Sequence, residues 1–195
     1  MAVPVLGTTK GNLEVSEKNL SAFNQVDREV RKKTFGLLSV VDFKGRPHTT
    51  GIIFAVSDPK DDFALYLVTL AKSAKVRYIK RNPKVSFLVT FPHYYLRFIP
   101  ASTVMFRGKA DIISLDDERA RAAFAQKRMT RMNLEVDPQI LNDSVVIRIR
   151  PSKMVYVYGI GIGLTQMWKD PSSARYKVII PPERIEKKLP LMEGL

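Results

Sequence analysis

No cysteine occurs in the chain, which removes disulfides, thiolate metal sites and a cysteine nucleophile, and fits a cytoplasmic protein. Histidine is almost as scarce. With His48 and His93 the only two imidazoles, a histidine-built metal centre would need carboxylate help, and the sequence shows no such cluster, so no metal is expected. Long apolar runs are missing too: the longest, Met154 to Leu164, is too short to span a bilayer and is interrupted by three glycines. The opening MAVPVLGTTK lacks the apolar core of a signal peptide, so no membrane association is expected. Acidic residues are in deficit, 19 against 32 Lys and Arg, for a formal charge of +13. Such a surplus points toward a polyanionic partner, whether nucleic acid, an acidic surface or a phosphorylated small molecule. The cations are spread from Arg28–Lys33 to Arg184–Lys188 rather than gathered in one stripe, which argues against nucleic acid.

What is present suits one globular domain: 195 residues, 45% of them apolar, can bury a core without staples. Leu20, Phe23, Val26 and Val30 recur at helical spacing, predicting an amphipathic helix over Ser16–Lys33. Phe35–Asp42 and His48–Val56 read as a hairpin across the turn Lys44-Gly45-Arg46-Pro47. After the polar loop Asp58–Asp62, Phe63–Thr69 is a third strand, Lys84–Phe91 a fourth and Thr103–Ile113 a fifth, with Gly108 marking a bulge or close approach. Ser114-x-x-Asp117 resembles a capping box opening a helix, and Met132–Leu141 reads as another short helix. Val145–Arg150 and Met154–Gly159 are expected as two strands joined at Pro151-Ser152, and Gly159–Gly163 as a strand with bends. Tyr156 and Tyr158, two apart, share a strand face and are read as packing residues. This pattern of short strands and few helices predicts a mainly β (α+β) protein: an antiparallel barrel over 35–160, a helical segment over 1–34 before it and an extension over 161–195.

The junction after the third strand carries the chemistry. Thr69, Lys72, Ser73 and Lys75 surround the start of a helix expected over Ala74–Lys80, with Ser73 as its N-cap. Unpaired N–H groups and the helix dipole favour an anion there, and hydroxyls with an ammonium complement a phosphate. The helix stops at Asn82-Pro83, because a residue before proline disfavours helical torsions.

The ordered series DFKGRPHTTGIIF, LYLVT, KSAKVRYIKRNPKVSFLV and VMFRGKADII resembles the FMN-binding split-barrel family of pyridoxamine 5'-phosphate oxidase-like proteins, over roughly Phe35–Ser114. The resemblance implies a split β-barrel with peripheral helices that forms a homodimer, with FMN in a cleft between subunits. It implies that Thr69, Ser73 and Lys75 contact the flavin phosphate or ribityl end, with Lys72 a candidate for the same role. It also implies that the segment His48, Thr49, Thr50, Gly51 to Ile52 runs under the isoalloxazine, largely through backbone groups. The chain departs from the family's oxidases in three places: Thr50 and Ala74 stand where they carry arginine, and Ala55 where they carry lysine. Arg77, Lys72 or a partner-chain cation would have to compensate. The oxidases' C-terminal arginine and histidine motif has no counterpart, so true pyridoxamine-phosphate oxidase activity is not expected. Two classes of function remain: an FMN-dependent oxidoreductase acting on a small molecule, with a deazaflavin as the alternative cofactor, or a non-enzymatic module binding flavin, haem or nucleic acid. No acid–base constellation is visible, so no catalytic residue is assigned, and His48 is read as a strand residue satisfied by backbone or water. Trp168 is read as an anchoring hydrophobe, with flavin cover from a partner subunit as the alternative.

Overall fold

The computed structural model describes residues 17–93, 98–131 and 142–185. Eight strands form one antiparallel sheet in the order β2-β1-β5-β6-β7-β4-β3, with β8 also on β7. In chain order the elements are α1 (Glu17–Arg31), β1 (Phe35–Val41), β2 (Pro47–Ile53), β3 (Ala55–Val56), β4 (Leu65–Leu70) and α2 (Ala74–Arg81). They continue as β5 (Lys84–Phe91), β6 (Ser102–Ile113), α3 (Glu118–Ala125), α4 (Arg128–Arg131), β7 (Ser144–Tyr158), α5 (Leu164–Lys169) and β8 (Arg175–Ile179). The two ends of the sheet, β2 and β3, are consecutive in sequence. They meet at Phe54, whose N–H bonds to the Thr34 carbonyl at 2.8 Å, so the sheet curls into a split barrel.

Alternation decides which face of each strand enters the barrel. Val85, Phe87, Val89 and Phe91 of β5 point inward with Leu38 and Val40 of β1 and Ile147 and Ile149 of β7. Ring contacts link Phe54 to Phe87 at 5.1 Å and Phe63 to both Phe23 and Phe106 at 5.6 and 5.5 Å. The helices complete this core: α1 contributes Phe23, Val26 and Val30, and α2 contributes Val76 and Ile79. Each such side chain gains about 1.5–3 kcal/mol from leaving water. α1 is also tied to the sheet by Asn19, whose buried amide both donates to the Ile179 carbonyl and accepts from the Ile179 N–H, each at 2.8 Å.

Several expectations are corrected. β7 is one strand of 15 residues, not two: it runs through Pro151, opposite Gly108. The register of β6 shifts between Phe106 and Gly108, and a Cβ on Gly108 would strike the Arg150 carbonyl, so the bulge expected at Gly108 is where Pro151 is tolerated. Gly159–Gly163 is a turn rather than a strand, with Gly159 and Gly161 at φ of 76° and 74°, where L side chains are strained. Asp117, not Ser114, caps α3, its carboxylate accepting from the Ala120 N–H at 2.9 Å. Ser114 instead accepts from the Asp116 N–H. Trp168 does not anchor within its own chain: it is 63% exposed and meets only the exposed ring of Phe98, at 6.4 Å, among the described rings. The helix expected over Met132–Leu141 and the loop residues Tyr94, Tyr95 and Arg97 lie outside the described residues. Among the described residues no helix is long and apolar enough to cross a membrane.

Candidate functional site

β4 delivers Thr69 to a tight turn that leads straight into α2. The turn is closed by Ser73 N–H on the Leu70 carbonyl (3.0 Å) and by Ala71 N–H on the Asp143 carbonyl (2.8 Å) beside the start of β7. Thr69 and Ser73 come together, Thr69 Oγ1 donating to Ser73 Oγ at 3.5 Å. Ser73 has the extended backbone of an N-cap, φ −66° and ψ 152°, but its side chain makes no capping bond. The expected cap is therefore one of backbone geometry alone, and the N–H groups of the first turn of α2 lack intrahelical acceptors. No acidic residue occupies that first turn.

Lys75 is half-buried there, and desolvation holds its ammonium below the usual lysine range. No carboxylate pairs with it among the described residues. Lys72, in the turn, and Arg77, one helical turn on, are exposed.

β2 approaches this junction unpaired with β4, and its alternation divides the segment expected to form the rest of the site. His48, Thr50 and Ile52 share the inner face; Thr49 and Gly51 lie on the outer, open face. The His48 ring sits edge-on to Tyr78 of α2 at 5.5 Å, so the inner face of β2 looks toward that helix. Thr50 Oγ1 is buried without a hydrogen-bond partner. Thr49 Oγ1 is spent on Ser39 Oγ across the hairpin at 2.9 Å, and Gly51 lies under the ring of Phe35, leaving no room for a Cβ. The structure thus gathers Thr69, Ser73 and Lys75 at the start of α2, turns His48 and Thr50 toward the same helix, and sets Thr49 and Gly51 apart.

Sequence reading missed Tyr78. It follows Lys75 by three positions, which stacks the two on one helical face, and that spacing was the available signal.

A family model for pyridoxamine 5'-phosphate oxidase matches residues 23–158, well over half of the chain. The chain belongs to that family. Among solved structures, a conserved hypothetical protein from Mycobacterium tuberculosis superimposes with a TM-score of 0.51 at 24% identity, covering 77% of this chain and 88% of that one. HutZ, the haem storage protein from Vibrio cholerae, gives 0.52 at 21% identity over 69% and 94% of the two chains. A haem-binding protein from Mycobacterium smegmatis gives 0.56 at 16% identity, covering 69% of this chain and 52% of its own. At these identities the likeness is one of fold. No curated protein matches the chain.

For a family in which flavin is the expected cofactor, the residues present fit a phosphate-bearing ligand. An unpartnered hydroxyl, a serine not used for capping and a desolvated ammonium are all groups that a phosphate dianion would satisfy.

Proposed function

We propose that the chain is an FMN-binding flavoprotein that takes the cofactor phosphate at the start of α2. In this reading Thr69, Ser73 and Lys75 hold the phosphate, Lys72 reinforces it from the turn, and Thr50 closes the site from β2. One observation carries it: Lys75 is a half-buried cation with no carboxylate among the described residues, set beside helix N–H groups and a serine hydroxyl not used for capping. An isolated charge in that setting is costly, and a phosphate dianion is the partner of matching sign and geometry. His48, Thr49, Thr50 and Gly51 would then flank the ring system mainly through their backbone.

The bound flavin would supply hydride or electron transfer to a small-molecule substrate, while the chain's own groups bind it, orient it and exclude water. A second copy of the chain completes the cleft in this reading. Gly51, Leu37, Leu88, Met105 and Tyr156 form one cross-strand row on the open face of the sheet. Beside that row Phe35 is 57% exposed, an apolar strip of the kind that a subunit interface buries.

The deciding experiment is absorbance and native mass on untreated protein. Flavin bands released on denaturation, one per subunit of a dimer, are expected. A colourless protein that takes up neither FMN nor a deazaflavin refutes the reading. A haem spectrum without flavin uptake would move the chain to the class of its haem-binding structural neighbours. Parallel titrations with FMN and a deazaflavin distinguish those two cofactors.

A further inference from the structure

At the other end of β4 a cavity of about 410 Å³ opens between the start of that strand, the bend of β7, the neighbouring part of β6 and the chain that follows β8. Among the described residues its walls carry Lys109, Arg119, Arg148, Arg150 and Arg184 against one carboxylate, Asp62. Strand register explains the gathering. Leu65, Leu67, Ile147 and Ile149 point into the core, so Tyr66 and Arg148, paired across β4 and β7, project from the opposite face, and Arg150 follows beside Lys109 of β6.

Among the described residues, the acidic partners of these cations are few and shared. Arg148 and Arg150 both rest on the same oxygen of Asp111, Oδ2, at 3.4 and 2.6 Å. Arg119 reaches Asp62 only at 4.0 Å, and Arg184 reaches Asp27 at 3.9 Å. Arg184 spends its Nε on the Asp61 carbonyl at 2.8 Å. Two guanidinium nitrogens, Nε of Arg148 and Nη2 of Arg184, are buried with no hydrogen-bond partner. Buried donors left in this state are rare and costly, and both belong to side chains that also line a cavity large enough for a ligand. Tyr66 adds a hydroxyl that burial keeps protonated and therefore able to donate. Phe63, Ala64, Pro151, Ile180 and Ile185 supply an apolar part of the wall.

We infer that this cavity is a second anion site, separate from the start of α2, that takes a phosphate-bearing small molecule. Guanidinium forks suit the oxygens of a phosphate, and the apolar wall suits the body of an ester. Ala64, just before β4, and Thr69, near its far end, are roughly 16 Å apart at ordinary strand rise, so one phosphate cannot serve both places. The inference stands without the flavin reading.

Calorimetric titration of the full chain with inorganic phosphate, pyrophosphate and glucose 6-phosphate, at ionic strength held constant with sodium chloride, tests it. Saturable binding at one site per chain that survives in Lys75→Met is expected. Arg150→Gln should weaken it by at least about tenfold, since a charge-assisted hydrogen bond is lost. Because Arg150 lies in an ion pair, a second variant exchanges only exposed groups, Lys109→Glu with Arg119→Glu, and should weaken binding at least as much. Lys75→Met should leave it unchanged. Tighter binding of glucose 6-phosphate than of inorganic phosphate supports an ester as the ligand, and equal binding supports free phosphate. The inference is overturned if none of the three binds saturably, or if binding is lost in Lys75→Met but kept in the cavity variants. Binding confined to an oligonucleotide overturns it as well.

Discussion

Lys75→Met separates ligand binding from folding, because the two respond with opposite sign. In the free protein the ammonium is desolvated and meets no carboxylate among the described residues, so burial disfavours its charged form. Methionine has nearly the same length without the charge. The variant should therefore unfold at a urea midpoint equal to or above that of the parent. Binding should move the other way. A hydrogen bond from an ammonium to a phosphate is worth about 1.5–3 kcal/mol, so FMN affinity should fall by roughly ten- to 150-fold, read from quenching of flavin fluorescence on titration.

The pH dependence gives an independent check. A lysine whose folded pKa lies below its unfolded value binds more protons in the unfolded chain between those two values. Its contribution therefore opposes folding at neutral pH, and that penalty is relieved as pH rises through this window. A bound phosphate restores the charged form, so FMN binding to the parent should take up protons at alkaline pH and weaken as pH rises through the lowered lysine pKa. The Met variant should lack that limb. If the variant binds FMN within twofold of the parent and keeps the same alkaline limb, the assignment of Lys75 to the phosphate is refuted.

Asn19→Ala removes both side-chain bonds to Ile179 and leaves buried backbone groups of β8 unsatisfied, so urea unfolding should show a loss of about 2–4 kcal/mol. Gly108→Val forces a side chain against the Arg150 backbone beside the bulge of β7 and should destabilise by about 1–3 kcal/mol, measured the same way. Trp168→Ser should change stability by no more than about 0.5 kcal/mol, since the ring is exposed and a larger loss would mean that something else buries it. With Trp168 as the single tryptophan, parent fluorescence should show the emission of a solvated indole before any unfolding.

Much of this architecture is legible in the residues, and what was missed has physical causes. Lys84–Phe91 reads as a strand because its apolar residues alternate, and α2 is bracketed by an extended serine and an Asn-Pro stop; both elements lie where the pattern puts them. The single span of β7 was hidden because proline normally ends a ladder, and only its partner strand reveals that Gly108 makes room. The turn at Gly159–Gly161 was hidden because glycines between apolar residues fit either a bent strand or a positive-φ turn. Within the candidate site, hydroxyl and ammonium types at a helix start could be read locally, while the orphaned state of Thr50 depends on how β2 curls toward α2. The basic cavity could not be read at all, because its cations come from β6, α3, β7 and the chain after β8 and meet only through strand register.

That register also connects the split in the sheet to the charge surplus. The edge of β7 away from β6 is shared, β4 taking residues 144–149 and β8 taking 154–158, and the bend at Pro151 lies between the two. A straight strand would have let one partner run its whole length and seal the space beside it. Residues 152–154 of β7 stand opposite Arg107 alone, a bulge that bends the strand, and Arg148 and Arg150, just before it, line the opening beside their paired neighbours Tyr66 and Lys109. If the bend shapes the cavity, straightening it should act on phosphate binding before it acts on the α2 junction. Pro151→Val restores a ladder donor, so it should reduce phosphate binding while leaving FMN titration within about twofold of the parent. Equal loss at both places would mean that the two regions form one cooperative unit and that the bend has no separate role in shaping the cavity.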